Sequence, residues 1–190
     1  EMGSYHLEGL LGSGGMGEVY RATHRMLARP AAIKLIRPEM LGAANREAAQ
    51  LAVKRFRREA EAASSLRSPH TVELYDFGVT EDQTLYFVME LLEGMSLEDI
   101  VKKHGALPPE RVVYLLRQAC LSLAEAHQRN LVHRDIKPSN LYACRAGVEV
   151  DFIKVLDFGL VKETTPGGPA DLKLTAADAL TGTPAFMAPE

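Results

Sequence analysis

His133, Arg134 and Asp135 stand in a row, and Ile136, Lys137, Pro138, Ser139 and Asn140 follow at once; Asp157, Phe158 and Gly159 come further on. These two short segments hold two carboxylates, an amide and a lysine. A carboxylate can orient an attacking hydroxyl and a lysine can answer phosphate charge, while an amide oxygen and a second carboxylate can hold magnesium. Such a set suits the movement of a phosphoryl group. His133 itself reads as a packed, hydrogen-bonded scaffold residue, not as a base.

Two upstream features extend the pattern. Gly12, Gly14 and Gly17 form a GxGxxG run with Val19 after it. Those letters also open dinucleotide sites, but there the third glycine leads into a helix. Here an alternating strand pattern follows Gly17, which favours a hairpin whose bare backbone can approach phosphate oxygens. Lys34 closes the run Ala31, Ala32, Ile33, Lys34. In order and identity these motifs resemble the catalytic domain of eukaryotic-type serine/threonine protein kinases. The run from Gly12 to Gly17 and the ending from Thr183 to Glu190 are most similar to bacterial members. The resemblance covers about Tyr5 to Glu190.

The resemblance implies ATP and Mg2+ as cofactors and assigns residues to them. Asp135 orients the acceptor hydroxyl and Lys137 reaches the transferred phosphate, while Asn140 and Asp157 hold magnesium. Gly12, Gly14 and Gly17 cover the phosphates. Lys34 grips the α- and β-phosphates with Glu59 as its helix partner; Glu61 and Glu47 are the alternatives. Met89 falls at the gatekeeper position, so the backbones of Glu90 and Leu92 meet the adenine edge, and Val19, Ala32 and Leu141 sandwich its faces. Thr183 and Lys137 point to serine or threonine acceptors on protein substrates. Arg134, with Lys162, could neutralise a phosphothreonine on the activation segment, which carries about −1.5 to −2 charges. Thr175 and Thr181 are the candidate self-phosphorylation sites, or simply polar loop residues. A second Asp-Phe-Gly, at Asp76, Phe77 and Gly78, precedes the catalytic segment and is read as a strand exit.

The elements that must position these residues are legible as an α+β, two-lobed, protein-kinase-like arrangement. Tyr5, Leu7 and Leu10 lead into the glycine loop, and the alternation from Val19 to His24 completes a hairpin. Ala31 to Ile36 make a third strand. Ala48, Leu51, Ala52, Phe56, Ala60 and Ala63 recur at helical spacing within a helix from about Ala48 to Leu66. Thr71 to Phe77 and Leu85 to Met89 are further strands. An antiparallel, strand-rich N-lobe with one long helix is thus expected over residues 5–89, a hinge over 90–95 and an incomplete helical C-lobe over 96–190. Ser96 with Asp99 suggests a capped helix reaching Lys103. Pro108 and Pro109 start another, along which Val112, Leu115, Leu116, Ala119, Leu123 and Ala126 form a buried stripe ending near His127.

Composition narrows the class. With 46% hydrophobic residues the chain can pack a core, and a net charge of −3 gives no electrostatic case for nucleic acid or an anionic membrane. Cys120 and Cys144 lack metal-ligand spacing and read as thiols in a reducing compartment, so a cytoplasmic location is expected. No apolar run approaches the roughly 20 residues of a membrane span, which leaves room for an anchor in a longer parent protein. The chain is expected to be a fragment of a kinase gene product, lacking the helices that follow Glu190 and prone to aggregate through an exposed helical face. Two other functions fit fewer of its letters: an inactive ATP-binding regulatory module, and a small-molecule phosphotransferase of related fold. The Ala188, Pro189, Glu190 ending argues for a protein substrate.

Overall fold

A computed structural model describes residues 2–14, 17–36, 46–80, 82, 84–158 and 183–186. Five strands, β1 (Tyr5–Gly14), β2 (Gly17–His24), β3 (Pro30–Ile36), β4 (Leu74–Val79) and β5 (Leu85–Glu90), form an antiparallel sheet in the order β1-β2-β3-β5-β4. One long helix, α1 (Arg46–Ser64), packs on it. Phe56 of α1 lies 4.4 Å from Phe87 and 6.1 Å from Phe77, ring centre to ring centre. Ile36, Ala60 and Leu85 close the same cluster. The opposite face of β3 and β5 buries Ala31, Ile33 and Val88 with Tyr5 and Ala22, as period-2 alternation in a sheet covered on both sides requires.

The second lobe begins with β6 (Gly94–Ser96), which joins β7 (Leu141–Ala146) and β8 (Glu149–Val155) in a small sheet ordered β6-β7-β8. Helices α2 (Leu97–His104) and α3 (Pro109–Gln128) cover it. Ser96 caps α2 by accepting the Asp99 amide at 3.0 Å, and its hydroxyl donates to Asp99 Oδ2 at 2.6 Å. Aspartate thus serves where glutamate is usual. Helix α3 starts at Pro109, whose missing N–H costs nothing in the first turn. It ends where Asn130 takes φ +58° and the Leu131 amide returns to Ala126 O at 2.9 Å.

Three expectations need correcting. Residues 71–73 run ahead of β4 as a linker, because Thr71 and Val72 bond to β8 instead of β5: the Val72 amide donates to Val155 O at 3.0 Å. The second Asp-Phe-Gly lies within β4, paired with Val88, Phe87 and Tyr86, and is not a strand exit. Gly78 is needed there because a Cβ would meet Tyr86 Oη at 2.5 Å. Finally, Leu116 is 43% exposed, while Gln118 and Ser122 are buried in its stead. The helix turns that polar pair inward because each has work to do: Gln118 bonds to β8 and Ser122 meets Thr71 at 2.6 Å.

Candidate active site

Asp135 is 8% exposed and sits at the centre of a hydrogen-bonded knot. Its Oδ1 accepts the Thr183 hydroxyl at 3.0 Å, and its Oδ2 pairs with Lys137 Nζ at 3.0 Å. Lys137 also donates to Thr183 Oγ1 at 3.1 Å. Asn140 Nδ2 donates to Asp135 O at 2.8 Å and Oδ2 at 3.3 Å, so its amide oxygen is turned the other way. The single 3-10 turn over Pro138–Asn140 brings Asn140 back onto the aspartate. His133, 2% exposed, accepts the Asp135 amide at Nδ1 (3.3 Å); its proton therefore resides on Nε2, which donates to Leu156 O at 2.7 Å. This histidine joins the two loops and supports them.

The β7–β8 ladder sets the second loop against the first. Leu141 opposes Val155, and one step outward the Leu156 amide donates to Asn140 O at 2.9 Å, so Asp157 emerges beside the loop of Asp135 to Asn140. Arg134 and Asp157 both hold positive φ, +64° and +56°. Such backbone costs about 1–3 kcal/mol in a non-glycine residue and tends to cluster at functional sites. Asp157 Oδ2 pairs with Lys34 Nζ at 2.7 Å, bridging the two lobes. The lysine's ammonium thus meets the loop carboxylate of Asp157. One ammonium 8% exposed can serve either acid, and here the loop carboxylate has reached it. Glu59 lies on α1 and is partly buried.

Between the lobes opens a cavity of about 280 Å3 lined by residues of both. Gly12, Val19, Ala32, Lys34, Met89, Glu90, Leu91, Leu92 and Asp157 are among the residues that line it. Leu141 does not. It is 4% exposed in the core of the second lobe, and the cavity floor is its neighbour Tyr142, with Leu156. The cause is strand alternation: with Leu141 pointing inward, the next residue must face the cleft. Tyr142 holds that position by donating from its hydroxyl to Gly94 O at 2.8 Å, and burial pushes its phenol pKa up. An apolar run beginning at Leu141 contains the signal, but only the strand register says which residue faces which way.

The three glycines separate in role. A Cβ on Gly12 or Gly14 would meet nothing within 4 Å, whereas on Gly17, at φ +134°, it would strike Leu35 O at 1.8 Å. Gly14 and Gly17 line a neighbouring polar cavity with Glu18, Asp82 and Thr84, outside the one that holds Lys34. Thr175, Thr181, Lys162 and residues 187–190 lie outside the described residues.

Asn140 and Asp157 offer an amide oxygen and a carboxylate, both hard donors. Among the described residues no three His, Cys, Asp or Glu side chains gather into a metal site of their own. Two such donors suit magnesium, which takes few protein ligands and completes its shell with phosphate and water. No helix among the described residues is long and apolar enough to cross a membrane.

Comparison with known proteins places this geometry. Residues 5–190 match the family described as protein kinase domain. The chain is 39% identical over 188 residues to serine/threonine-protein kinase pkn3 of Myxococcus xanthus, covering 98% of this chain and 33% of that protein. It is 38% identical to serine/threonine-protein kinase PknH of Mycobacterium tuberculosis strain H37Rv, covering 99% and 28%. Serine/threonine-protein kinase PrkC of Bacillus subtilis is 37% identical, with 99% and 26% covered. The chain thus spans about a third or less of these relatives.

Proposed function

Because this chain belongs to the protein kinase domain family over residues 5–190, we propose that it transfers the γ-phosphoryl group of Mg-ATP to serine or threonine hydroxyls of proteins. The observation that carries the reading is the Thr183 hydroxyl, which donates to Asp135 Oδ1 at 3.0 Å while accepting from Lys137 Nζ at 3.1 Å. A hydroxyl with its proton on a carboxylate and its oxygen beside an ammonium is in the situation an acceptor serine or threonine needs. In this reading a substrate hydroxyl takes a like position. Asp135 receives its proton, and Lys137 offsets charge on the moving phosphate.

The remaining residues bind and orient. Asn140 and Asp157 would hold magnesium, which when bound offsets negative charge on the phosphate oxygens. Lys34 grips the α- and β-phosphates, shared between Asp157 and the expected helix partner Glu59. The backbones of Glu90 and Leu92 take the adenine edge, with Val19 and Ala32 above the base and Tyr142 below it. Gly12, Gly14 and Gly17 form the cover over the phosphates. Thr175 or Thr181 would accept phosphate in self-phosphorylation, detectable by mass spectrometry after incubation with ATP. The unpaired thiols Cys120 and Cys144 suit a reducing, cytoplasmic setting.

The test is transfer of label from Mg-ATP to a generic basic protein, by this chain and by Asp135→Asn. The variant should lose about 10²- to 10⁴-fold in rate while nucleotide affinity stays. Nucleotide binding without transfer by the unmodified chain would make it an inactive regulatory module instead.

A further inference from the structure

Lys154 belongs to no role assigned so far, yet it is one of the least exposed cations among the described residues. Its neighbours Ile153 and Val155 on β8 are completely buried in the second lobe's core, so strand alternation turns Lys154 to the opposite face. There it stands directly across from Tyr142, the floor of the cavity. Its side chain is 13% exposed, and its ammonium lies 2.6 Å from Glu90 Oε1, itself on a side chain 18% exposed. It also donates to Thr71 O at 3.4 Å.

Glu90 is held from a second direction. Its Oε1 accepts the Glu73 amide at 2.8 Å, and its own amide donates to Glu73 O at 3.0 Å. Three chain segments therefore meet at one ion pair: the linker at 71–73, the end of β5, and β8. Each contributes to the cavity next door, through Val72, through Glu90 to Leu92, and through Leu156 and Asp157. An exposed pair of this kind would contribute little. This one is largely removed from water, where loss of one partner leaves the other charge unsatisfied.

We infer that Lys154 is a positioning residue for the nucleotide base. By holding the Glu90 carboxylate it fixes the Glu90–Leu92 backbone edge and ties it to the strand that delivers Asp157, three residues on. The inference rests on the phosphotransfer reading and adds to it a residue outside the cavity lining. Without Lys154, Glu90 gains by rotating toward water, and the edge on which the base docks turns with it. The phosphate-binding residues Lys34 and Gly12 belong to other strands and are not held by this pair.

The discriminating experiment measures calorimetric affinity for Mg-ATP and for Mg-tripolyphosphate, which lacks the base. Lys154→Met should weaken Mg-ATP binding roughly tenfold and leave tripolyphosphate within about twofold, and Lys154→Arg should restore the former. Should Lys154→Met fold poorly, the double variant Lys154→Met/Glu90→Met leaves no unpaired charge and is expected to fold, with the same selective loss. Unchanged Mg-ATP affinity in the folded double variant would overturn the inference, as would equal losses on both ligands, which mark general loosening. Failure of the unmodified chain to bind Mg-ATP at all would overturn the phosphotransfer reading itself, and this inference with it.

Discussion

Leu141 is 4% exposed among apolar side chains, whereas Tyr142, one residue on, lines the cavity between the lobes. Leu141→Ala should therefore cost about 2–4 kcal/mol in chemical denaturation. Tyr142→Ala should shift the denaturation midpoint little but weaken Mg-ATP binding roughly tenfold, through loss of an aromatic face. Reversed outcomes would return the floor to Leu141. The glycines divide in a similar way. Gly17 has φ +134° and Leu35 O at 1.8 Å from where a Cβ would stand, whereas Gly12 has open space. Gly17→Ala should lower stability by about 2 kcal/mol or more, visible as a lower Tm, while Gly12→Ala should leave Tm nearly unchanged. Sequence alone ranks these glycines equally, since their difference lies in the neighbouring strand β3, whose Leu35 is 18 residues beyond Gly17.

Helix α3 acts as the fastening between lobes. Its Glu125 accepts the Arg67 amide at 2.9 Å and the Ser68 amide at 2.6 Å, and pairs with Arg129 at 3.1 Å. Burial would raise the carboxyl's pKa, but the two amides and the Arg129 guanidinium outweigh it and hold the group below the usual carboxylate range. A depressed folded-state pKa means that the stabilisation is complete above the unfolded-state value and is lost as pH falls through the folded one. Glu125→Gln should therefore cost about 1–2 kcal/mol at neutral pH, and the gap from the unmodified chain should close on acidification; a gap that widened would refute the assignment. Further along α3, Arg111 grips Asp151 through two hydrogen bonds of 2.8 and 2.7 Å, and Gln118 bonds to Asp151 O and the Ile153 amide. Those contacts hold β8 at a residue with φ +55°. The hairpin of β7 and β8 is an element the sequence pattern did not announce, because Arg145 to Glu149 and Asp151 interrupt its apolar alternation. Its side chains and backbone answer to α3, to His70 and to the linker at 71–73 as much as to each other.

Taken as a whole, the molecule leaves an apolar face on α3 in water: Val113 is 67%, Leu116 43% and Leu121 53% exposed. Apolar surface of this kind favours association, so the chain should self-associate with rising concentration, and Val113→Lys with Leu121→Lys should shift its sedimentation toward monomer. Equal sedimentation of both forms would remove that face from consideration. Local order along the chain was enough to announce the glycine hairpin, the two-lobed α+β class, the capped start of α2, and the segments from which Lys34, Asp135 and Asp157 converge. Each of these is written in residue types at fixed short spacing, where backbone geometry and side-chain chemistry are set by near neighbours. What awaited the tertiary structure was which partner each group meets: Lys34 with Asp157, Tyr142 in place of Leu141 beneath the cleft, Leu116 outward, and Lys154 bound to Glu90. Those outcomes depend on strand register and on charges brought together from distant segments, and no short stretch of sequence carries either quantity.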